Sequence, residues 1–241
     1  MGKVLEKIII DTEKTPLASV LSVGGKVYTF LNPVSYLDAI KNKQLFLQFD
    51  GIFADGSLLV TAIRLLYGEK VTRRSFDMTS LAPQLLEYAE NTGKTVYIVA
   101  SKQEQVEAAI AIFRNRYPRI NIVGYRNGYF SDEQAQLDEA RHIVEVAPDF
   151  LIVGMGAVMQ ESFLLKVKNS GFKGIGFTCG GFIHQTSKNQ IDYYPRWVDD
   201  YNVRFLYRIY REPHTRIRYL MAGLIFPVRF VLEKFNSKDR S

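Results

Sequence analysis

Cysteine occurs once in this 241-residue chain, as Cys179, so no internal disulfide can form and a disulfide-stapled secreted scaffold is excluded. The three histidines, at 142, 184 and 214, are scattered. No H-E-x-x-H stretch occurs, nor an Asp-x-Asp pair to hold a divalent ion against a diphosphate, so no metal or other cofactor is expected. G-x-S-x-G is missing as well, and Cys179, between an apolar run and Gly180, reads as a small buried hydrophobe rather than a nucleophile. Residues 1–6 lack the apolar stretch of a secretory signal. The longest apolar run, residues 219–226, continues to Leu232 only past Pro227 and Arg229, short of the ~20 residues a spanning helix needs. The expectation is a cytoplasmic protein without a transmembrane helix.

What is present is an ordinary globular composition, 47% hydrophobic and 23% charged, which supports a large core without staples. Thirty-one Lys and Arg against 25 Asp and Glu leave a net charge of +6, so part of the surface should attract phosphates, nucleic acid or anionic lipid. From residue 94 onward, β-branched runs alternate with helical periodicity. Strands are expected at 95–99, 120–123, 150–153 and 174–178. Between them, Val106, Ala109, Ile110 and Phe113 mark one helix ended by Tyr117-Pro118, Leu137, Ala140 and Val144 a second, and residues 159–169 a third. Connections of this length hold crossover helices, which makes the strands parallel. Ahead of this series, 26–31 and 45–49 read as strands, and Leu59, Ala62, Ile63 and Leu66 as the inner face of a helix between Asp55-Gly56 and Gly68. The expected fold class is α/β, a Rossmann-like, mostly parallel sheet with flanking helices. The core is assigned to residues 1–192, and a basic helical appendage to 193–241.

In such sheets ligands bind beyond the carboxyl ends of the strands. Polar or glycine residues stand after most of them: Asn32 after the first, Asp50 and Asp55-Gly56 after the second, and Asn127-Gly128-Tyr129 after the fourth. Gly154-Met155-Gly156 with Gln160-Glu161 follows the fifth, and Gly180-Gly181 the sixth. Gly154-x-Gly156 would open a dinucleotide fingerprint only with glycine at 159, where Met stands; it reads as a tight turn, compatible with an anion at the next helix N-terminus. Asp55, with Arg64, Arg73 and Arg74 downstream, reads as a general base or as an N-cap.

From residue 203 on, nine basic residues face three acidic ones. On a helix from about 196 to 211, Trp197, Tyr201, Phe205 and Ile209 form an apolar stripe, and Arg204, Arg208 and Arg211 a second stripe. Like charges on one face repel, so the arginines call for a bound anion, which a diphosphate would suit, or for plain solvation. Residues 219–232, apolar and preceded by Arg216 and Arg218, fit the headgroup boundary of an anionic bilayer, a dimer contact or internal docking. No nucleic-acid-binding motif is present, and nucleic acid is not an expected partner.

Taken in order, Asn32, Asp55-Gly56, Tyr117-Pro118, Asn127-Gly128-Tyr129-Phe130, Pro148-Asp149 through Gly156, Gln160-Glu161, Gly180-Gly181, Leu206-Tyr207-Arg208 to Glu212-Pro213, and Arg218-Tyr219 resemble the WecG/TagA/CpsF glycosyltransferases over residues 25–222. The resemblance implies inverting, metal-independent transfer of a sugar from a UDP-sugar donor to a polyprenyl-diphosphate-linked saccharide acceptor. The setting implied is exopolysaccharide, capsule or wall polymer synthesis, by an enzyme peripheral on the inner face of the bacterial cytoplasmic membrane; a homo-oligomer is compatible with it. Asp55 is implied as the catalytic base. Asn32, Arg73 or Arg74, Gly128, Tyr129, Gly156, Gln160, Gly180, Gly181 and His184 are implied as substrate-binding, with Arg208, Arg211 and Arg218 closing over the diphosphate. Three departures stand out: Phe30 in place of the Thr of Thr-x-Asn, Val158-Met159 in place of the Pro-Lys of Pro-Lys-Gln-Glu, and Ile183-His184 in place of the Phe-Asp after the double glycine. The departures at 158, 159 and 184 support a second expectation, a non-catalytic member that uses its basic face to bind anionic lipid or partner enzymes.

Overall fold

The computed structural model describes residues 17–68, 71–188, 210 and 216–235. The chain enters through α1 (Leu17–Ser22) and β1 (Lys26–Leu31), turns through α2 (Pro33–Lys41) and α3 (Lys43–Phe46), and returns as β2 (Gly51–Ala54). After α4 (Ser57–Tyr67) and α5 (Leu81–Thr92), strands and helices alternate: β3 (Thr95–Ala100), α6 (Gln103–Arg116), β4 (Asn121–Arg126), α7 (Glu133–Val146), β5 (Phe150–Gly154), α8 (Met159–Asn169), β6 (Ile175–Thr178) and α9 (Phe182–Ser187). A further helix, α10 (Arg216–Phe235), follows.

All six strands are parallel in one sheet, ordered β2-β1-β6-β5-β3-β4. Helices cover both faces, which is why β5 and β6 are continuous buried runs instead of alternating ones. Val27, Leu31, Val99, Leu151 and Val153 pack with α2, α3, α4, α7, α8 and α10 on one face. Tyr28, Val96, Ile98, Phe150, Ile152 and Phe177 pack with α1, α5, α6 and α9 on the other. This is the expected α/β arrangement.

One element differs from expectation. Residues 45–49 are the end of α3 and a turn, and the strand begins at Gly51. Phe46 and Phe49 are three apart and both fully buried in the same core, a helical spacing that a short apolar run conceals. The shift places Asp50 at the amino end of β2, away from the carboxyl-end cleft. There its carboxylate accepts hydrogen bonds from the Val27 N–H (2.9 Å), Lys26 Nζ (3.2 Å) and Lys168 Nζ (2.6 Å). Burial pushes its pKa up, but these donors outweigh that and hold the carboxyl below its ordinary value. Asp50 is a structural staple.

The C-terminal helix docks on the core through one stripe. Phe226 and Phe230 are fully buried and lie 5.1 Å apart, ring to ring. Phe226 packs edge-on to Tyr36 of α2 at 5.4 Å, and Phe230 meets Tyr67 of α4 at 5.7 Å. The Tyr36 hydroxyl donates a hydrogen bond to Glu233. The opposite side of α10 stays apolar yet exposed, along Ile217, Leu220, Met221, Leu224, Val228 and Leu232. Of the readings for residues 219–232, internal docking therefore accounts for one face only. The boundary expected near residue 192 lies outside the described residues, as does the helix expected over 196–211 apart from Tyr210.

Candidate active site

Five of the six strands end in the residues that the sequence singled out. Asn32 follows β1, Asp55-Gly56 β2, Asn127-Gly128-Tyr129 β4, Gly154-Met155-Gly156 β5, and Gly180-Gly181 β6, while Ser101 follows β3. His184 lies within α9, and Arg218 within the first turn of α10. Arg208 and Arg211 lie outside the described residues. From β2 to β4 the row spans five inter-strand steps, roughly 24 Å, so Asp55 and Tyr129 serve different ends of it. The helices leaving β1 and β6, α2 and α9, go to opposite faces of the sheet, which opens a crevice between Asn32 and Gly180.

At the β1–β2 end, the Asp55 N–H donates to Leu31 O at 2.7 Å and the Arg74 N–H to Ala54 O at 3.0 Å, so residues beyond 71 run beside the end of β2. Gly56 occupies the N-cap position of α4 with φ +91°, a conformation open to glycine. The two neighbouring arginines take different partners. Arg73 Nε lies 3.5 Å from Asp55 Oδ1, while its Nη2 reaches Asp77 at 3.5 Å and Ser75 Oγ at 2.8 Å. Arg74 instead stacks over the Phe53 ring at 5.4 Å, where burial pulls its pKa below the ordinary arginine value. Arg73 thus pairs with the candidate base. Phe30 stacks on Phe53 at 5.2 Å and meets Phe76 edge-on at 5.9 Å, so its ring belongs to an aromatic cluster beneath this end of the cleft. Asn32 is the N-cap of α2: its side-chain oxygen accepts from the N–H groups of Val34 (2.9 Å) and Ser35 (3.1 Å).

In the centre, Gly156 and Val158 both adopt positive φ in the turn from β5 into α8. Gln160 N–H closes the turn onto Gly156 O at 3.1 Å. The Gln160 side chain donates through Nε2 to Glu161 Oε1 at 2.9 Å, and its Oε1 accepts the Gly180 N–H at 3.1 Å. Glu161 also accepts from the Val158 N–H (2.6 Å) and from the Thr29 hydroxyl (2.8 Å), which in turn shares a hydrogen bond with Thr178 at 2.8 Å. Glu161 is 2% exposed, and burial raises its pKa above the usual carboxylate range although these donors oppose the rise. A Cβ on Gly154 would stand 2.6 Å from Cys179 Sγ and 2.9 Å from Gly180 O; one on Gly128 would stand 2.9 Å from Met155 Cγ. The loops after β4, β5 and β6 therefore touch at positions without room for a side chain. Cys179 is buried, with its thiol pushed well above its ordinary pKa, which suits packing and not nucleophilic attack.

At the β4 end, Arg126 organises the loop that carries Tyr129. Its guanidinium donates to Asn127 O and Tyr129 O, each at 3.1 Å, reaches Glu139 at 3.4 Å, and lies 3.9 Å from the Phe130 ring centre. Tyr129 is left 66% exposed, a flat surface open to stacking. Sequence reasoning missed Arg126, and it noted Glu161 only within the pair Gln160-Glu161, with no role of its own. For Arg126 the signal was present, since it ends a strand directly before Asn127-Gly128. Among the described residues, no group of three His, Cys, Asp or Glu side chains is placed to hold a metal ion, and no helix is long and apolar enough to cross a membrane.

Residues 13–240 match the model of a family described as the glycosyl transferase WecG/TagA/CpsF family. The chain is 34% identical over 207 residues, 86% of each chain, to a UDP-Gal:alpha-D-GlcNAc-diphosphoundecaprenol beta-1,4-galactosyltransferase of Shigella boydii. It is 26% identical, over 78% of its own length and 73% of the relative's, to an N-acetylglucosaminyldiphosphoundecaprenol N-acetyl-beta-D-mannosaminyltransferase of Bacillus subtilis (strain 168). An enzyme of the same name from Bacillus spizizenii is 24% identical over 85% of this chain and 80% of that one.

Proposed function

The chain belongs to the WecG/TagA/CpsF family and is a glycosyltransferase, and we propose that it transfers a sugar from a UDP-sugar to a polyprenyl-diphosphate-linked saccharide by one inverting, metal-independent displacement. The observation that carries the reading is the Asp55–Arg73 pair at the carboxyl end of β2. Asp55 takes the proton of the acceptor hydroxyl as its oxygen bonds to the anomeric carbon. The bond from that carbon to the diphosphate breaks, and UDP leaves with the electron pair. The charge on the departing diphosphate falls to cations: Arg73, joined by Arg208, Arg211 and Arg218 of the C-terminal region. The Gly180-Gly181 loop, Gly156, Gln160, Asn32 and His184 line the donor side, and Tyr129 offers the base a stacking surface. The β linkages in the relatives' names are what single inversion of an α-linked UDP-sugar gives, and those names make UDP-galactose and GlcNAc-diphosphoundecaprenol the first pair to assay.

The acceptor's lipid sets the location. The exposed apolar stripe of α10, with Arg229 on the same helix, fits the headgroup boundary of the inner leaflet. Loss of Asp55→Asn turnover by roughly 10²–10⁴-fold, with UDP binding kept, is the expected result of a transfer assay with EDTA present. Near-normal turnover in that variant overturns the base assignment, abolition by EDTA in the unaltered enzyme overturns metal independence, and failure to co-sediment with anionic vesicles overturns the membrane placement.

A further inference from the structure

We propose that Glu161 is a positioning residue of the transfer reaction, acting through Gln160 on the Gly180 loop; the inference rests on the reading that this loop holds the nucleotide-sugar. Glu161 is almost wholly buried. Its partners are all neutral: Thr29 Oγ1, Gln160 Nε2 and the Val158 N–H. Among the described residues, no Lys, Arg or His forms an ion pair with it. A carboxylate buried without a cation costs stability, and an apolar side chain of the same shape would fill the place more cheaply. Its presence is therefore better explained by what it orients.

Direction is the key. A hydroxyl donates or accepts, and a glutamine amide can present either end. In the chain Thr178, Thr29, Glu161, Gln160, Gly180, the Glu161 carboxyl accepts from all three of its side-chain and loop partners, and the Gly180 and Val158 N–H groups can only donate. With both carboxylate oxygens committed to donors, Gln160 must turn Nε2 inward and Oε1 outward, the orientation that captures the Gly180 N–H. The same carboxylate holds the Val158 N–H and with it the positive-φ turn from which α8 starts. One buried group thus sets two of the strand-end loops, after β5 and after β6. A glutamine at 161 would match the shape but offer one oxygen where two are used, so that its amide meets the Val158 N–H donor to donor, or else Gln160 flips and its Nε2 meets the Gly180 N–H donor to donor; either way one of the two loops loses its hold.

The test is calorimetric titration of the full-length protein with UDP, for the unaltered chain, Glu161→Gln, Gln160→Met and the double variant. Loss of a set hydrogen bond predicts roughly tenfold weaker UDP binding in Glu161→Gln, and the double variant should bind no more weakly than Gln160→Met alone. A Glu161→Gln protein that binds UDP as the unaltered chain does, or losses that multiply in the double variant, would overturn the proposal. Failure of the unaltered chain to bind UDP would overturn the donor reading instead. Should Glu161→Gln not fold, the unaltered chain carries the test by NMR: the Gln160 side-chain amide, assigned by its absence in Gln160→Met, should be rigid before any ligand is added, and a mobile amide overturns the role.

Discussion

Replacing Phe230 by alanine tests whether α10 is an integral part of the fold. The side chain is fully buried and its ring lies 5.3 Å from Tyr36, 5.7 Å from Tyr67 and 5.1 Å from Phe226. Truncating a buried phenylalanine costs about 3–5 kcal/mol, and each ring pair adds ~0.5–1.5 kcal/mol beyond area, so the upper part of that range applies. The loss falls on docking rather than on the sheet, because Phe226, Phe230 and the Tyr36–Glu233 hydrogen bond are the contacts that seat α10 on α2 and α4. At ~1.4 kcal/mol per factor of ten, hydrogen exchange in residues 216–235 should accelerate by roughly 10³-fold or somewhat more, while β5 in the middle of the sheet keeps its protection. Unchanged exchange in α10 would refute the docking argument; uniform acceleration through β5 would show that α10 unfolds only with the core.

Arg73→Met should lower turnover by roughly tenfold or more, since it removes the cation beside Asp55, whereas Arg74→Met should cost only about 1 kcal/mol of stability through the lost contact with Phe53. Steady-state kinetics and urea unfolding separate the two, and equal kinetic defects would contradict their division of roles. Asp149 ties β5 to β3 by accepting from the Thr95 N–H (2.9 Å) and Lys94 Nζ (2.7 Å). Burial pushes its pKa up, but those donors outweigh that and hold it below the 3.8 of a free side chain. Its contribution is therefore present above about pH 4 and lost as pH falls through the lower folded value. Asp149→Asn should cost about 1 kcal/mol at pH 7, and the gap in melting temperature from the unaltered chain should narrow near pH 2.5. A gap that does not change with pH would exclude the ionic contribution.

Much of this was legible in the sequence because the signals were redundant. A buried parallel strand announces itself as a β-branched run, and its position is confirmed by the glycines that must follow where neighbouring loops crowd, as at Gly128 and Gly154. The stretch 45–49 misled because four apolar residues around Gln48 carry no usable period, and the true strand, Gly51–Ala54, is only four residues long and opens with glycine. Arg73 and Arg74 were indistinguishable in sequence because adjacent residues on an extended segment point opposite ways, and which one meets Asp55 depends on the register beside β2, set by the Arg74 N–H on Ala54 O. Glu161 was visible as a residue but not as a buried one, since the donors that its carboxylate accepts from belong to partners 132 residues away as well as next door.

Asn32 shows why position at a strand end is not yet a chemical role. Its side-chain oxygen caps α2, and the Ser35 hydroxyl returns a bond to the Asn32 N–H at 2.9 Å, so removing the side chain costs the helix about 1 kcal/mol before any substrate is considered. The same helix carries Tyr36, which meets Phe226 and Phe230 of α10, and α4, starting just past Asp55, carries Tyr67 against Phe230. Both helices that begin at the β1–β2 end of the cleft are thus the seat of the C-terminal helix. A substitution at Asn32 that abolishes transfer has two physical routes to do so, through the bound substrate or through the start of α2. The two separate only when substrate affinity is measured alongside the protection of α10, because the cap route must loosen both.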